Sequence, residues 1–184
     1  KIITATNVFA HIDNINNIVK LILQTLKQDG IFISESHYLL PLIKTVQYDT
    51  IYHEHLSYFS LTPLISFFQN AGFSIFDIQQ VDIHGGSKRI HICRKGKRPN
   101  KEIVARLLAD EEDGKIHSLE YLAEFATKVQ VHRRKLLTLL SSLIGSGNRL
   151  QSPAGVVARP AGANRLRPAR FPGWSGPTAS EGSS

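Results

Sequence analysis

Apolar positions recur at helical spacing in some stretches of this chain and in short continuous or alternating runs in others, and the changes mark the elements. Residues Lys1 to Ala5 read as the end of a buried strand, followed by a loop over Asn7-Val8-Phe9-Ala10-His11. Ile15, Ile18, Val19, Ile22, Leu23 and Leu26 then repeat at helical spacing. Asp13 is placed to cap that helix through its carboxylate, and Gly30 to take the left-handed position that stops it. Ile31-Phe32-Ile33 has the β-branched and aromatic content of a strand covered on both faces. Strand, helix and strand in this order form the unit of a parallel α/β sheet.

Further along, Thr62 as N-cap, Pro63 at the first helical position and Gly72 just past the end predict a helix. Phe73 to Val81 and Lys88 to Arg94 predict two strands, and the Gly85-Gly86 pair between them supports an antiparallel hairpin. Glu102 to Asp110 and His117 to Ile144 read as helices, the second with a stripe of Leu119, Leu122, Phe125, Ala126 and Val129. Gly145-Ser146-Gly147 follows that helix and reads as its stop rather than as a phosphate loop.

Composition changes the picture at the far end. After Leu150 there is neither Lys nor Ile, and Pro, Gly, Ala, Ser and Arg dominate, so residues 149–184 are expected to be a disordered tail of non-native origin. The formal charge of +7 is concentrated there: five arginines and one glutamate from Arg149 onward contribute +4, leaving +3 for the rest. With no basic stripe interleaved with aromatics, that remainder argues against a nucleic-acid partner. No apolar run reaches the ~18 residues of a membrane span, so no membrane partner is expected and the chain is read as cytoplasmic. A single cysteine, Cys93, excludes an internal disulfide and reads as a small buried hydrophobe.

The chemistry concentrates in one place. Tyr52-His53-Glu54-His55, preceded by Asp49 and followed by Tyr58 and Phe59, is the densest cluster of proton-transfer groups in the chain. Imidazole titrates near neutrality, so two histidines around a carboxylate, with a phenol adjacent, make an acid/base site. The cluster lies in the connection between Glu35 and Ser60, after a strand, where open α/β sheets place their ligand contacts. His53 and His55 also lie two apart, as two ligands on one face of a strand would. A metal-dependent hydrolase completed by Glu35, His37 or Asp49 is therefore the second reading, although the spacing matches no established ligand motif.

Three motifs together carry a family resemblance. Asn7-Val8-Phe9-Ala10-His11-Ile12, then Asp49-Thr50-Ile51-Tyr52-His53-Glu54-His55-Leu56-Ser57-Tyr58-Phe59-Ser60, then Ile83-His84-Gly85-Gly86-Ser87-Lys88-Arg89 resemble, in type, order and spacing, the S-adenosylmethionine-dependent sugar C-methyltransferases. The resemblance covers roughly residues 1 to 140 and implies a Rossmann-like class I methyltransferase fold represented by its second half. Residues 1–98 would be the C-terminal half of the methyltransferase domain, and 99–148 a helical segment leading into a further domain. It implies S-adenosylmethionine as cofactor and a keto-sugar linked to a nucleoside diphosphate as substrate. His55 would be the base that removes the proton beside the ketone, with Glu54 and Tyr52 orienting the sugar or hydrogen-bonding the enolate, and His11 contributing from the first loop.

Asn7 would meet the cofactor, and Ser87 and Arg89 the sugar or diphosphate. From composition alone, His11 reads equally as a helix cap and His84-Gly85-Gly86-Ser87 as a turn. The family's glycine-rich cofactor turn, zinc module and final domain are not legible in these 184 residues. The chain by itself is therefore expected to be an inactive remnant that binds the cofactor weakly and self-associates through an exposed sheet edge.

Overall fold

A computed structural model describes residues 1–83, 85–148, 150–151 and 157–158. The chain divides into two compact units, Lys1–Arg134 and Lys135–Ser184. Of the second, the described parts are the end of a long helix and a two-strand ladder of β5 (Leu150–Gln151) with β6 (Val157–Ala158). The rest of the tail, and His84, lie outside the described residues.

In the first unit, β1 (Ile2–Thr6) and β2 (Ile31–His37) pair in parallel from Ile2 opposite Ile31 to Thr6 opposite Glu35, with α1 (Ile15–Thr25) as the crossover. The hairpin of β3 (Phe73–Val81) and β4 (Ser87–Arg94) then places β4 antiparallel beside β2, giving the sheet order β1-β2-β4-β3. This is an open, mixed α/β sheet of the kind the resemblance implies. Among its strand pairs only β1 with β2 is parallel. At the edge, β1 alternates between exposed and half-buried positions rather than being buried throughout, and Ile2 is 65% exposed.

One face of the sheet carries the core. Phe32, Ile90, Ile92 and Ile78 meet Val19 and Ile22 of α1 and Leu64 and Phe68 of α3 (Leu61–Asn70). Phe32 and Phe68 are fully buried, their ring centroids 6.3 Å apart. On the opposite face Arg89 pairs with Glu35, and His91 and Cys93 follow at alternate positions of β4. Cys93 is buried, as expected. The region between β2 and α3 holds a further short helix, α2 (Leu39–Lys44), and a 3-10 turn at Tyr48–Thr50. After β4 come α4 (Glu102–Asp113) and α5 (Leu119–Gly145). Among the described residues no helix is long and apolar enough to cross a membrane.

Several local expectations are corrected. The cap of α1 is Asn14, whose Oδ1 accepts the Asn17 N–H at 3.0 Å, not Asp13. That helix ends at Thr25, and its final carbonyls, Leu23 and Leu26, are taken by the guanidinium of Arg94. Gly30 serves close packing instead, since a Cβ there would lie 2.8 Å from the Leu26 side chain. At α3, Ser60 is the N-cap without a side-chain bond, Pro63 is the third helical residue, and the cap comes from α4, as described below. The stripe on α5 is not buried: that helix has no buried residue, and Leu119 is 80% exposed. Gly72, Gly85, Gly86 and Gly147 do adopt positive φ, and a Cβ on Gly86 would lie 3.0 Å from Pro41.

Candidate active site

The site forms at the carboxyl ends of the two parallel strands. Beyond Thr6 the chain turns sharply at Asn7, which takes a left-handed φ of 52° while its N–H donates to the Glu35 carbonyl at 2.8 Å. Asparagine tolerates that conformation better than most residues. The turn leads into a 3-10 segment, Phe9–His11, anchored by Phe9, which stacks on Phe68 at 6.3 Å and packs against Phe32. His11 is thereby fixed by core packing immediately upstream.

The Tyr52–Ser57 loop docks on that segment through its backbone. The N–H groups of Leu56 and Ser57 both donate to the Ala10 carbonyl, at 2.8 and 3.3 Å. His11 Nδ1 lies 2.8 Å from the Glu54 carbonyl, and His55 Nδ1 lies 2.8 Å from the Thr50 carbonyl. A carbonyl oxygen only accepts, so both nitrogens carry the proton, and in each neutral ring Nε2 holds the lone pair. Tyr52 Oη sits 3.3 Å from that Nε2 of His55. The ring centroids of His11, Tyr52 and His37 lie 4.9, 4.4 and 5.5 Å from that of His55.

These side chains line an open cavity of about 480 Å³ together with Asn7, Ala10 and Ser36. The Oδ1 of Asn7 is buried there with no hydrogen-bond partner. A buried carbonyl-type oxygen left unpaired costs about 1–3 kcal/mol, so it invites a donor from a bound molecule. A second, apolar crevice shares Ser36 and His37 and runs between Tyr38, Phe59, Lys88 and Ile90, too narrow to take more than a water.

The remaining predicted residues lie elsewhere. Glu54 is exposed; it contributes its backbone carbonyl to His11, while its carboxylate has no partner among the described residues. His53 is exposed and its ring contacts Tyr52 at 6.2 Å. No group of three or more His, Cys, Asp or Glu among the described residues could hold a metal ion, which leaves the hydrolase reading without a ligand set. Ser87 is fully buried and its hydroxyl donates to the Ile83 carbonyl at 3.3 Å, so it closes the hairpin loop and presents no surface to a ligand. Arg89 is committed to Glu35, through Nε at 2.8 Å and Nη2 at 2.6 Å. Conversely, His37 and Ser36 line the cavity although the sequence reading ended their strand at Ile33. The signal available was position: His37 is the last residue of a parallel strand.

The wall behind the site is tied by Glu111 of α4, which is fully buried. Its Oε1 accepts from Tyr38 Oη at 2.6 Å and Leu61 N at 2.5 Å, and its Oε2 from Thr62 N at 2.9 Å and Thr62 Oγ1 at 2.6 Å. A carboxylate at a helix N-terminus satisfies orphan N–H groups and complements the dipole. Burial and this bond push the Tyr38 phenol well above its usual range. Tyr38 in turn bridges to Phe59, and the Leu39 N–H donates to the Phe59 carbonyl at 2.8 Å, closing the loop that carries Tyr52 and His55.

The open α/β sheet carries an imidazole and phenol cluster at the ends of its parallel strands, and residues 1–78 match the family model of a methyltransferase domain. Residues 82–157 match the model described as a C-methyltransferase C-terminal domain. The chain is 34% identical over 142 residues to the C-methyltransferase NovU of Streptomyces niveus, a match covering 76% of this chain and 33% of that protein. The chain belongs to the C-methyltransferase family. It spans about a third of the length of this curated relative.

Proposed function

We propose that the complete protein transfers a methyl group from S-adenosylmethionine to the carbon beside the ketone of a nucleotide-linked sugar, through an enolate generated by His55. The observation that carries this reading is the convergence of Asn7, His11, Tyr52 and His55 on one cavity, with both imidazole Nδ1 atoms already engaged by backbone carbonyls. His55 Nε2 accepts the proton from the carbon alpha to the carbonyl, and the C–H electron pair passes into the enolate. Once protonated, Nε2 no longer accepts the hydrogen bond of Tyr52, so that hydroxyl, 3.3 Å away, turns to donate to the enolate oxygen. His11 presents its free Nε2 from the facing segment to a sugar hydroxyl, and Glu54 acts through the carbonyl that holds His11.

S-adenosylmethionine supplies an electrophilic methyl group when bound. The unpaired Asn7 Oδ1 fits it, because the ammonium of its amino-acid portion is a donor of the kind that oxygen lacks. Among the described residues no glycine-rich turn follows a strand into a helix, and Asn7 with its surroundings is what they offer the cofactor. This supports weak cofactor binding and no turnover by residues 1–184 alone. The outer edge of β1 has no strand partner among the described residues, which supports self-association of this chain.

The test is methylation of a nucleoside-diphosphate keto-sugar by the full-length protein, followed by mass spectrometry of the sugar. Donor-dependent methylation that is lost in His55→Ala and Tyr52→Phe is expected. Methylation by His55→Ala at the parental rate refutes the assignment.

A further inference from the structure

We propose that Ser36 is a specificity residue of the site: its hydroxyl holds one ring hydroxyl of the sugar, so that the pocket selects which keto-sugar reaches His55. The inference rests on the substrate class proposed above and adds the contact that decides among members of that class.

Packing alone does not ask for serine at this position. Phe32 of β2 lies on the core face of the sheet with Ile90 and Ile92 of β4. Alternation puts Ser34 and Ser36 on that same face, 2% and 9% exposed. Alanine would fill either place without a polar atom to satisfy. The two serines differ in what they adjoin. Ser34 lies opposite Ile90 and lines neither the cavity nor the crevice, whereas Ser36 lines both. Among the described residues the Ser36 hydroxyl has no hydrogen-bond partner.

Its neighbours place it at the reacting end of the cavity. Ser36 precedes His37, whose ring centroid is 5.5 Å from that of His55. On the adjoining strand Asn7 is held by its N–H to the Glu35 carbonyl at 2.8 Å, one residue before Ser36. Ser36 therefore adjoins both the oxygen that fits the cofactor and the side chains around the base. A sugar that presents the carbon beside its ketone to His55 lays its ring substituents across the end of β2. A serine hydroxyl both donates and accepts, so it matches a sugar hydroxyl in either direction. A sugar lacking that hydroxyl leaves Ser36 buried and unpaired, which is how a site built around a hydroxyl rejects the deoxy analogue. A water in the adjoining crevice is the other partner open to Ser36, and the experiment separates the two.

The measurement is kcat/KM of the full-length protein for a nucleoside-diphosphate keto-sugar and for counterparts that each lack one ring hydroxyl, in the parent, Ser36→Ala and Ser34→Ala. The parent should prefer the complete sugar over one counterpart by about tenfold, the scale of a single hydrogen bond. Ser36→Ala should turn over that pair within about twofold of each other, since the substitution and the missing hydroxyl remove the same contact. Ser34→Ala should keep the parent's preference, and S-adenosylhomocysteine should bind all three proteins with equal affinity by titration calorimetry. A preference that survives in Ser36→Ala overturns the proposal, as does a parent that turns over every sugar alike. A loss of equal size for all sugars, the signature of a crevice water or of a purely structural serine, overturns it too. Weaker S-adenosylhomocysteine binding by Ser36→Ala assigns the hydroxyl to the cofactor and has the same consequence. A parent that binds S-adenosylhomocysteine but methylates none of the sugars removes the substrate class itself, a failure distinct from that of Ser36 because it occurs without substitution.

Discussion

Replacing Glu111 with alanine removes the carboxylate that joins α4 to the start of α3 and to Tyr38. Four hydrogen bonds of 2.5–2.9 Å are lost at once, from Leu61 N, Thr62 N, Thr62 Oγ1 and Tyr38 Oη. Leu61 and Tyr38 are buried, so water does not freely replace the missing acceptor. Each buried donor left unpaired costs about 1–3 kcal/mol, and loss of a helix cap about 1 kcal/mol. Against this stands the relief of no longer burying a charge, worth several kcal/mol in the idealised case. The balance falls at about 3–5 kcal/mol of destabilisation, the range for removing one partner of a buried charged network. Glu111→Gln keeps the shape and one acceptor but turns an NH₂ group toward donors, and should cost about 2 kcal/mol.

The assay is urea unfolding of the full-length protein followed by circular dichroism, comparing midpoints at constant slope. A loss below about 1 kcal/mol for Glu111→Ala would refute the reasoning, because it would mean that these donors find other partners without strain.

Two further outcomes are expected. Burial holds the His91 imidazole below the ordinary histidine range, and its Nε2 is buried without a partner, so the fold binds this proton less tightly than the unfolded chain does. The stability it contributes is present above the unfolded value of about 6.5 and is lost as pH falls through that value toward the folded one. Unfolding midpoints should therefore fall less steeply in His91→Leu than in the parent between about pH 7.5 and about pH 5, and an unchanged slope would contradict this. Titration of the 184-residue chain with S-adenosylmethionine should show no low-micromolar binding, since the contact proposed for Asn7 engages only one part of the cofactor; tight binding would defeat that expectation.

The hairpin was legible in the sequence because Gly85-Gly86 and the flanking apolar runs are local signals, and they survive in the fold with both glycines at positive φ. The start of α3 was misplaced for the opposite reason: its cap is a carboxylate 50 residues away, which no local pattern reveals. β2 was cut short because Ser34, Glu35 and Ser36 read as polar loop. In the sheet Ser34 and Ser36 are buried on the core face, and Arg89 neutralises Glu35 on the other. That error placed His37 in a connecting loop, as a metal-ligand candidate only, when it is the last residue of β2 and lines the cavity. The residue types of His11, Tyr52 and His55 were readable as acid/base chemistry. Their shared Nδ1-to-carbonyl arrangement was not, since it depends on how the Tyr52–Ser57 loop docks on Phe9–His11.

The most direct test of the catalytic claim is exchange of the proton beside the ketone when the full-length protein holds its keto-sugar in deuterated water with no methyl donor, followed by nuclear magnetic resonance. The parent and His53→Ala should exchange that proton, and His55→Ala should not. Exchange by His55→Ala at the parental rate would remove the imidazole from the reaction.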